Sequence, residues 1–141
     1  MGAEMQQFCA RLHRFLSERE SELLEAMQLE TGFIRVDCVE MLEGSLLYVR
    51  DFVAELQPIP AAPPLFYQIG KQQRCIQLQR YPWGTVAVIL PQNAFLIIAL
   101  TCLLNALATG NRVLLRAPAI GALGVVAGSN PPRGAPAAPR R

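Results

Sequence analysis

Residues 84–118 constrain the fold more than any other part of the sequence. Residues 85–90 form a short apolar run rich in β-branched side chains, which predicts a buried strand. Residues 94–108 are mostly apolar helix formers, and Gly110 follows where a left-handed helix end favours glycine. Because a second apolar run at 113–115 comes next, we predict a βαβ unit that closes right-handed into a parallel sheet. Neither run alternates with polar residues, so the sheet is expected to be covered on both faces.

Helices are predicted before this unit. Residues 3–31 carry apolar side chains at helical spacing. Ser17, with a glutamate three residues later, predicts a capping box and therefore a break or a second helix start. Gly32 is expected to end the first helical stretch, and a second helix is predicted over residues 36–56, where the prolines from Pro58 onward end it.

A proline-rich connector and a hairpin are predicted between the helices and the βαβ unit. Four prolines within residues 58–64 favour a stiff extended segment. Residues 65–69 and 75–80 are predicted as two short strands around a turn at 70–72. Taken alone, this pattern indicates an ordinary edge hairpin.

Composition and charge narrow the classes of protein. The sequence has 141 residues and is 52% hydrophobic, which is typical of a folded domain and excludes a generally disordered chain. The net charge of +2 conceals an asymmetry, since all 11 acidic residues lie within residues 1–57 and none in residues 58–141. The basic half has no dense cluster of lysine or arginine, so no nucleic-acid partner is predicted. Residues 119–141 are rich in Ala, Gly and Pro, and we expect a divergent, disordered tail after a domain at 1–118.

The cysteines indicate a reducing compartment. Cys9, Cys38, Cys75 and Cys102 are widely spaced, no CxxC pair exists, and His13 is the only histidine. We therefore predict no metal site and mostly buried, reduced thiols. No secretory signal is predicted at the start, and a cytoplasmic location is expected.

The apolar segment at 94–108 is also a candidate membrane span. It is shorter than the roughly 20 residues that a spanning helix needs. Asn105 lies inside it, and polar residues border it on both sides. We therefore predict a buried core helix and no membrane association.

Several motifs together resemble one enzyme family. Their order along the chain, and the spacing between them, are similar to the first βαβ unit of the aldehyde dehydrogenase superfamily and to the helices that precede it. The resemblance covers about residues 8–118. The motifs are Glu30-Thr31-Gly32, Pro82-x-Gly84, Val-Ile-Leu-Pro91-Gln-Asn93 and Ala106-Leu-Ala-Thr-Gly110-Asn111-x-Val113-x-x-Arg116.

The resemblance implies an α/β fold. It consists of N-terminal helices, a β-hairpin and the first βαβ of a Rossmann-like cofactor domain that is incomplete in this chain. The implied activity is NAD(P)-dependent oxidation of an aldehyde to a carboxylic acid, and the acyl-CoA-reducing branch of the same fold remains an alternative. Such enzymes are several times longer, and their nucleophilic cysteine and Glu-Leu-Gly-Gly base segments are not found in this sequence. A truncated member that does not catalyse the reaction alone is therefore expected.

The resemblance also implies site residues. Asn93 aligns with the asparagine whose side-chain amide helps to hold the oxyanion during acyl transfer. From the residues alone, a cap on the following helix is the favoured role of Asn93, because asparagine is among the best N-cap residues. Ile89, Leu90, Gln92 and Arg116 align with residues that line the NAD(P) cleft.

Three of the implied cofactor positions depart from the family pattern. Gln92 replaces a tryptophan or similar large residue, Arg116 replaces a lysine, and Ala119 replaces a glutamate that accepts from the ribose. Arginine keeps the charge of lysine but differs from it in shape and hydration.

The resemblance implies partners as well. The implied substrate is an aldehyde, and residues 76–80 align with a strand of an oligomerisation arm. This predicts a homo-oligomer, or pairing with a full-length paralogue. The alternative function is accordingly a non-catalytic interaction partner that modulates such an enzyme.

Overall fold

The computed structural model describes residues 2–56, 62–120 and 122. Within these ranges the chain has four helices, one antiparallel hairpin and one parallel strand pair. This confirms the predicted α/β class, with helices first, then a hairpin, then a βαβ unit. The elements are α1 Gly2–Glu18, α2 Glu20–Thr31, α3 Arg35–Glu55, β1 Leu65–Ile69, β2 Gln72–Ile76, β3 Thr85–Ile89, α4 Phe95–Ala108 and β4 Arg112–Arg116.

The break between α1 and α2 lies where it was predicted, but its cause differs. Arg19 precedes α2 without making a side-chain cap bond. The Ser17 hydroxyl donates instead to the His13 carbonyl, at 2.9 Å, so the predicted capping box is wrong. A serine hydroxyl that bonds back to the preceding turn is a common alternative to capping. Gly32 ends α2 as predicted, with φ 72° and its N–H donating to the Gln28 carbonyl at 3.0 Å.

The core is one cluster that joins all four helices. Apolar side chains from α1, α2 and α3 pack together with the buried face of α4. A hydrogen bond also links the helical layer to α4, because Asn105 Nδ2 donates to the Tyr48 hydroxyl at 2.8 Å. The fully buried large residues are Phe8, Phe95, Met5, Leu12, Leu16, Leu23, Met27, Leu42, Leu96, Leu104, Val49 and Cys38.

The hairpin is tighter than predicted. Gly70 and Lys71 form a two-residue turn, and Gly70 has φ 59°, a value that type II′ turns require of their first residue. The second strand consequently begins at Gln72, and the predicted span of 75–80 is wrong. The strand β2 begins with polar residues, whereas the strand was predicted from alternating apolar and polar residues further along the chain. Every residue of both strands is exposed.

The βαβ unit is confirmed. Strands β3 and β4 are parallel, with Thr85 opposite Arg112. A Schellman motif ends α4, since the Gly110 N–H donates to the Leu107 carbonyl and the Asn111 N–H to the Ala106 carbonyl, both at 3.0 Å. Gly110 has φ 81°, as its predicted role requires.

Only one face of this strand pair is covered within the described residues. Val88 and Leu115 pack against the core cluster. On the opposite face Ile89 is 71% exposed and Leu114 is 66% exposed, so the expectation of two covered faces is wrong for this part of the chain. The alternation of burial follows from the period of two in a strand.

Other predictions lie partly beyond the described ranges. Pro58 and Pro60 belong to residues 57–61, and most of the predicted tail at 119–141 belongs to 121 and 123–141, which are all outside the described residues. Among the described residues, no helix has both the length and the apolar character needed to cross a membrane.

Candidate functional site

The carboxyl ends of β3 and β4 meet at one edge of the sheet. Ile89 and Arg116 are the last register partners of the two strands. The Leu90 N–H donates to the Arg116 carbonyl at 3.1 Å, which holds the two chain segments together as they leave the sheet. Since ligands of open α/β sheets bind beyond the carboxyl ends of the strands, this edge is the candidate site.

Four of the five residues that the sequence indicated are accessible at this edge. Ile89 and Arg116 are exposed on the uncovered face of the sheet, and Gln92 and Asn93 are exposed in the loop that follows β3. Leu90 differs, because its side chain is 5% exposed and belongs to the core cluster. The structure thus places Ile89 beside Arg116 at the edge, whereas the Leu90 side chain packs in the core and is not accessible to a ligand.

Asn93 does not cap the helix that follows it. The N-cap residue of α4 is Ala94, and no side chain caps the helix. The alternative interpretation of Asn93 as a helix cap is therefore wrong. Within the described residues the Asn93 amide has no hydrogen-bond partner, so it is available to donate to a ligand at this edge.

Ala94 has an unusual backbone conformation. Its φ of 50° and ψ of 29° make it the one non-glycine residue with positive φ in the described part of the chain. A left-handed alanine costs about 1–2 kcal/mol relative to a right-handed one. Strain of this kind concentrates at functional sites, where it fixes the direction of a turn. Here it sets the sharp entry into α4 immediately after Asn93, and no pattern in the sequence predicts it.

Asn111 is a structural residue at the amino ends of the two strands, opposite the candidate site, and no role was predicted for its side chain. It is 6% exposed, and its Oδ1 accepts from the Gly84 N–H at 3.1 Å. Its Nδ2 donates to the Ala106 carbonyl at 3.3 Å and to the Thr109 hydroxyl at 2.9 Å. One buried amide therefore joins the end of α4 to the residue before β3. The sequence signal for this role is the position of Asn111, a polar residue between Gly110, which ends α4, and the apolar run of β4.

The charge around the edge is positive. Arg112 and Arg116 are both exposed, on the uncovered face of β4 and at opposite ends of that strand. All acidic residues of the sequence occur at or before Glu55, in the helical part. Arg116 alone of the two is at the candidate edge, and with no carboxylate in the elements that form this edge the site favours an anionic ligand.

The thiols do not form part of this edge. Burial raises the pKa of Cys9 to about 11, which keeps its thiol protonated at neutral pH. The pKa of Cys38 is also raised, mainly by burial and additionally by Asp37, while Arg35 lowers it. Cys75 lies in the exposed hairpin, and Cys102 lies within α4. The edge therefore offers a hydrogen-bond donor and a cation but no nucleophilic sulfur.

Comparison with known proteins gives one finding. The sequence profile described as "Aldehyde dehydrogenase family" matches residues 2–126, a range that includes the predicted 8–118 and continues past Pro118. The comparisons with curated proteins and with solved structures produced no match. Because the matched range covers most of the sequence and contains the whole candidate site, the chain belongs to the aldehyde dehydrogenase family.

Proposed function

We propose that this chain carries the oxyanion donor and part of the NAD(P)-binding edge of an aldehyde-oxidising enzyme. One observation carries the proposal: Ile89 and Arg116 are adjacent and exposed where the two parallel strands end, with an unpaired Asn93 amide in the loop beside them. Family membership supports NAD(P) as the cofactor and an aldehyde as the substrate.

The residues fit these roles chemically. Bound NAD(P) would accept the hydride in such a reaction. Arg116 offers a fixed positive charge to the ribose–phosphate part of the dinucleotide, and Ile89 offers 71% of its surface for apolar contact. Asn93 offers an N–H donor for an oxygen that gains negative charge, which is the task of an oxyanion hole. Gln92 is exposed in the same loop and offers a side-chain amide to the cofactor in this proposal.

The remaining chemistry requires groups that this edge lacks. Covalent aldehyde oxidation needs a thiolate that attacks the carbonyl carbon and a base that activates water for release of the acid. Among the described elements the edge has neither, and Cys9 is protonated by burial. We therefore propose that this Rossmann-like unit binds the cofactor but does not turn over aldehyde by itself.

Calorimetric titration with NAD⁺ and NADP⁺ tests this function. We expect weak binding by the wild-type chain and loss of binding in Arg116→Glu. Arg112→Glu is the matched control, because Arg112 is on the same strand and face but at the amino end. Equal effects of the two substitutions would mean that only overall charge matters, and no heat in any sample would refute cofactor binding.

A second candidate function rests on the hairpin. All residues of β1 and β2 are exposed, and the hairpin carries large apolar side chains on a short, two-stranded unit. Exposed apolar strands of this kind favour pairing with another chain. We infer that the chain alternatively acts as a non-catalytic partner of a full-length aldehyde dehydrogenase. Light scattering on a mixture with such an enzyme tests this, and two unchanged separate species would argue against it.

A further inference from the structure

A cleft of about 490 Å³ lies between α1 and α3, away from the sheet edge. The residues of α3 that line it and carry the following argument are Glu40, Glu43, Gly44, Leu47 and Arg50. They recur at three- and four-residue intervals and therefore share one face of the helix. Neither the cofactor edge nor the hairpin contains any of them.

Gly44 has no explanation in the contacts of the described residues. It lies in the middle of the 21-residue α3, where glycine is less favourable than alanine. A methyl group at this position would meet no atom within 4 Å beyond its own turn of helix. The described part of the chain therefore does not require a glycine here. Close approach by another element is the physical condition that would require it.

Leu47 supplies a complementary feature on the same face. It is 50% exposed and lies one turn after Gly44, so a protruding apolar side chain stands beside a shallow depression. In an antiparallel pair of α3 helices related by two-fold symmetry, the Leu47 of each copy would fill the space over the partner's Gly44. Such a self-complementary surface is the requirement for an isologous dimer.

The charges favour the same antiparallel arrangement. Glu40 and Glu43 precede Gly44, whereas Arg50 follows Leu47, so antiparallel helices bring Arg50 towards the partner's Glu40. Arg50 already binds Asp51 through Nε at 2.6 Å and through one terminal nitrogen at 2.9 Å. This leaves the other terminal nitrogen for a second carboxylate, and Arg50 would then lie between its own Asp51 and the partner's Glu40. A parallel pair would instead place like charges opposite each other.

We propose that the outward face of α3 is a self-docking surface, and that its occupant is the α3 of a second copy of this chain. Leu47 packs over the partner's Gly44, and Arg50 reaches the partner's Glu40. This dimer depends on neither the cofactor edge nor the hairpin, so it stands whether or not the proposed function holds.

Sedimentation equilibrium of the full chain tests the proposal. We expect a concentration-dependent dimer, and Gly44→Leu is expected to raise its dissociation constant about tenfold or more by overfilling the contact. Leu47→Ala is expected to weaken the dimer as well. Leu29→Ala is the matched control, because Leu29 is 85% exposed on α2, outside the cleft, and its removal leaves the dimer unchanged.

Charge exchange provides a second readout that does not depend on packing. Arg50→Glu is expected to weaken the dimer, and the double variant Glu40→Arg/Arg50→Glu is expected to restore it. Far-UV circular dichroism confirms that each variant is folded. A monomer at all concentrations would overturn the proposal, and so would an assembly that ignores Gly44→Leu and the charge exchange. An assembly lost only when hairpin residues are changed would assign the interface to the hairpin instead.

Discussion

Removal of the Asn111 side chain should loosen the whole βαβ unit. The amide is 6% exposed and forms three side-chain hydrogen bonds, at 3.1, 3.3 and 2.9 Å. Asn111→Ala leaves the Gly84 N–H without its acceptor. The Ala106 carbonyl keeps a partner, because the Asn111 backbone N–H still donates to it.

The cost follows from these contacts. The Gly84 N–H is only part-buried, so its loss of an acceptor costs about 1 kcal/mol, the lower end of the range for an unsatisfied buried N–H, and each further neutral hydrogen bond contributes about 1 kcal/mol or less. The Thr109 hydroxyl is exposed, so water replaces part of its loss. We therefore expect Asn111→Ala to lower the free energy of unfolding by about 1–2 kcal/mol.

Urea unfolding followed by circular dichroism measures this change. The transition midpoint should fall with little change in slope, because the surface exposed on unfolding stays nearly the same. Asn93→Ala is the matched control: its amide is exposed and unpaired among the described residues, so its substitution should change stability by less than about 0.5 kcal/mol. Equal midpoints for the two variants would refute the role assigned to Asn111.

The other predictions concern backbone strain and buried thiols. Gly32→Ala forces alanine into φ 72° and should destabilise the chain by about 1 kcal/mol in thermal unfolding; an unchanged midpoint would contradict the left-handed assignment. Ala94→Gly should stabilise it by up to about 1 kcal/mol, because glycine removes the strain at φ 50°. The raised pKa of Cys9 favours its protonated form in the folded state, so stability should decrease as pH rises from 9.0 to about 11, and Cys9→Ala should flatten that decrease. Among the described cysteines, Cys75 is exposed and should react first with a thiol reagent in the native state, whereas prior labelling of Cys9 would contradict its burial.

The sequence predicted the elements that depend on strong local signals. The strand, helix and strand of the βαβ unit were found because apolar runs and Gly110 mark their limits, and Gly32 marks the end of α2 for the same reason. The start of β2 was placed wrongly, because Gln72 and Gln73 carry no apolar alternation and their pairing is imposed by the Gly70 turn.

Features that depend on tertiary contacts were not predictable in the same way. A serine hydroxyl can accept from a backbone N–H as a helix cap or donate to a carbonyl of the preceding turn, and the sequence pattern does not reveal that Ser17 does the latter. The left-handed Ala94 and the three-way contacts of Asn111 arise only when α4 meets the strands. The predicted site residues Asn93 and Arg116 rested on family resemblance, and their exposure at one sheet edge was accessible only from the fold.

The most direct test is a heteronuclear NMR titration of the isotope-labelled chain with NAD⁺. We predict that chemical-shift changes cluster where the two parallel strands end, at Ile89, Gln92, Asn93 and Arg116. Resonances of the α1–α3 cleft, including Gly44, should stay unchanged. Absence of any shift, or changes confined to the helical layer, would contradict a dinucleotide-binding edge at this position.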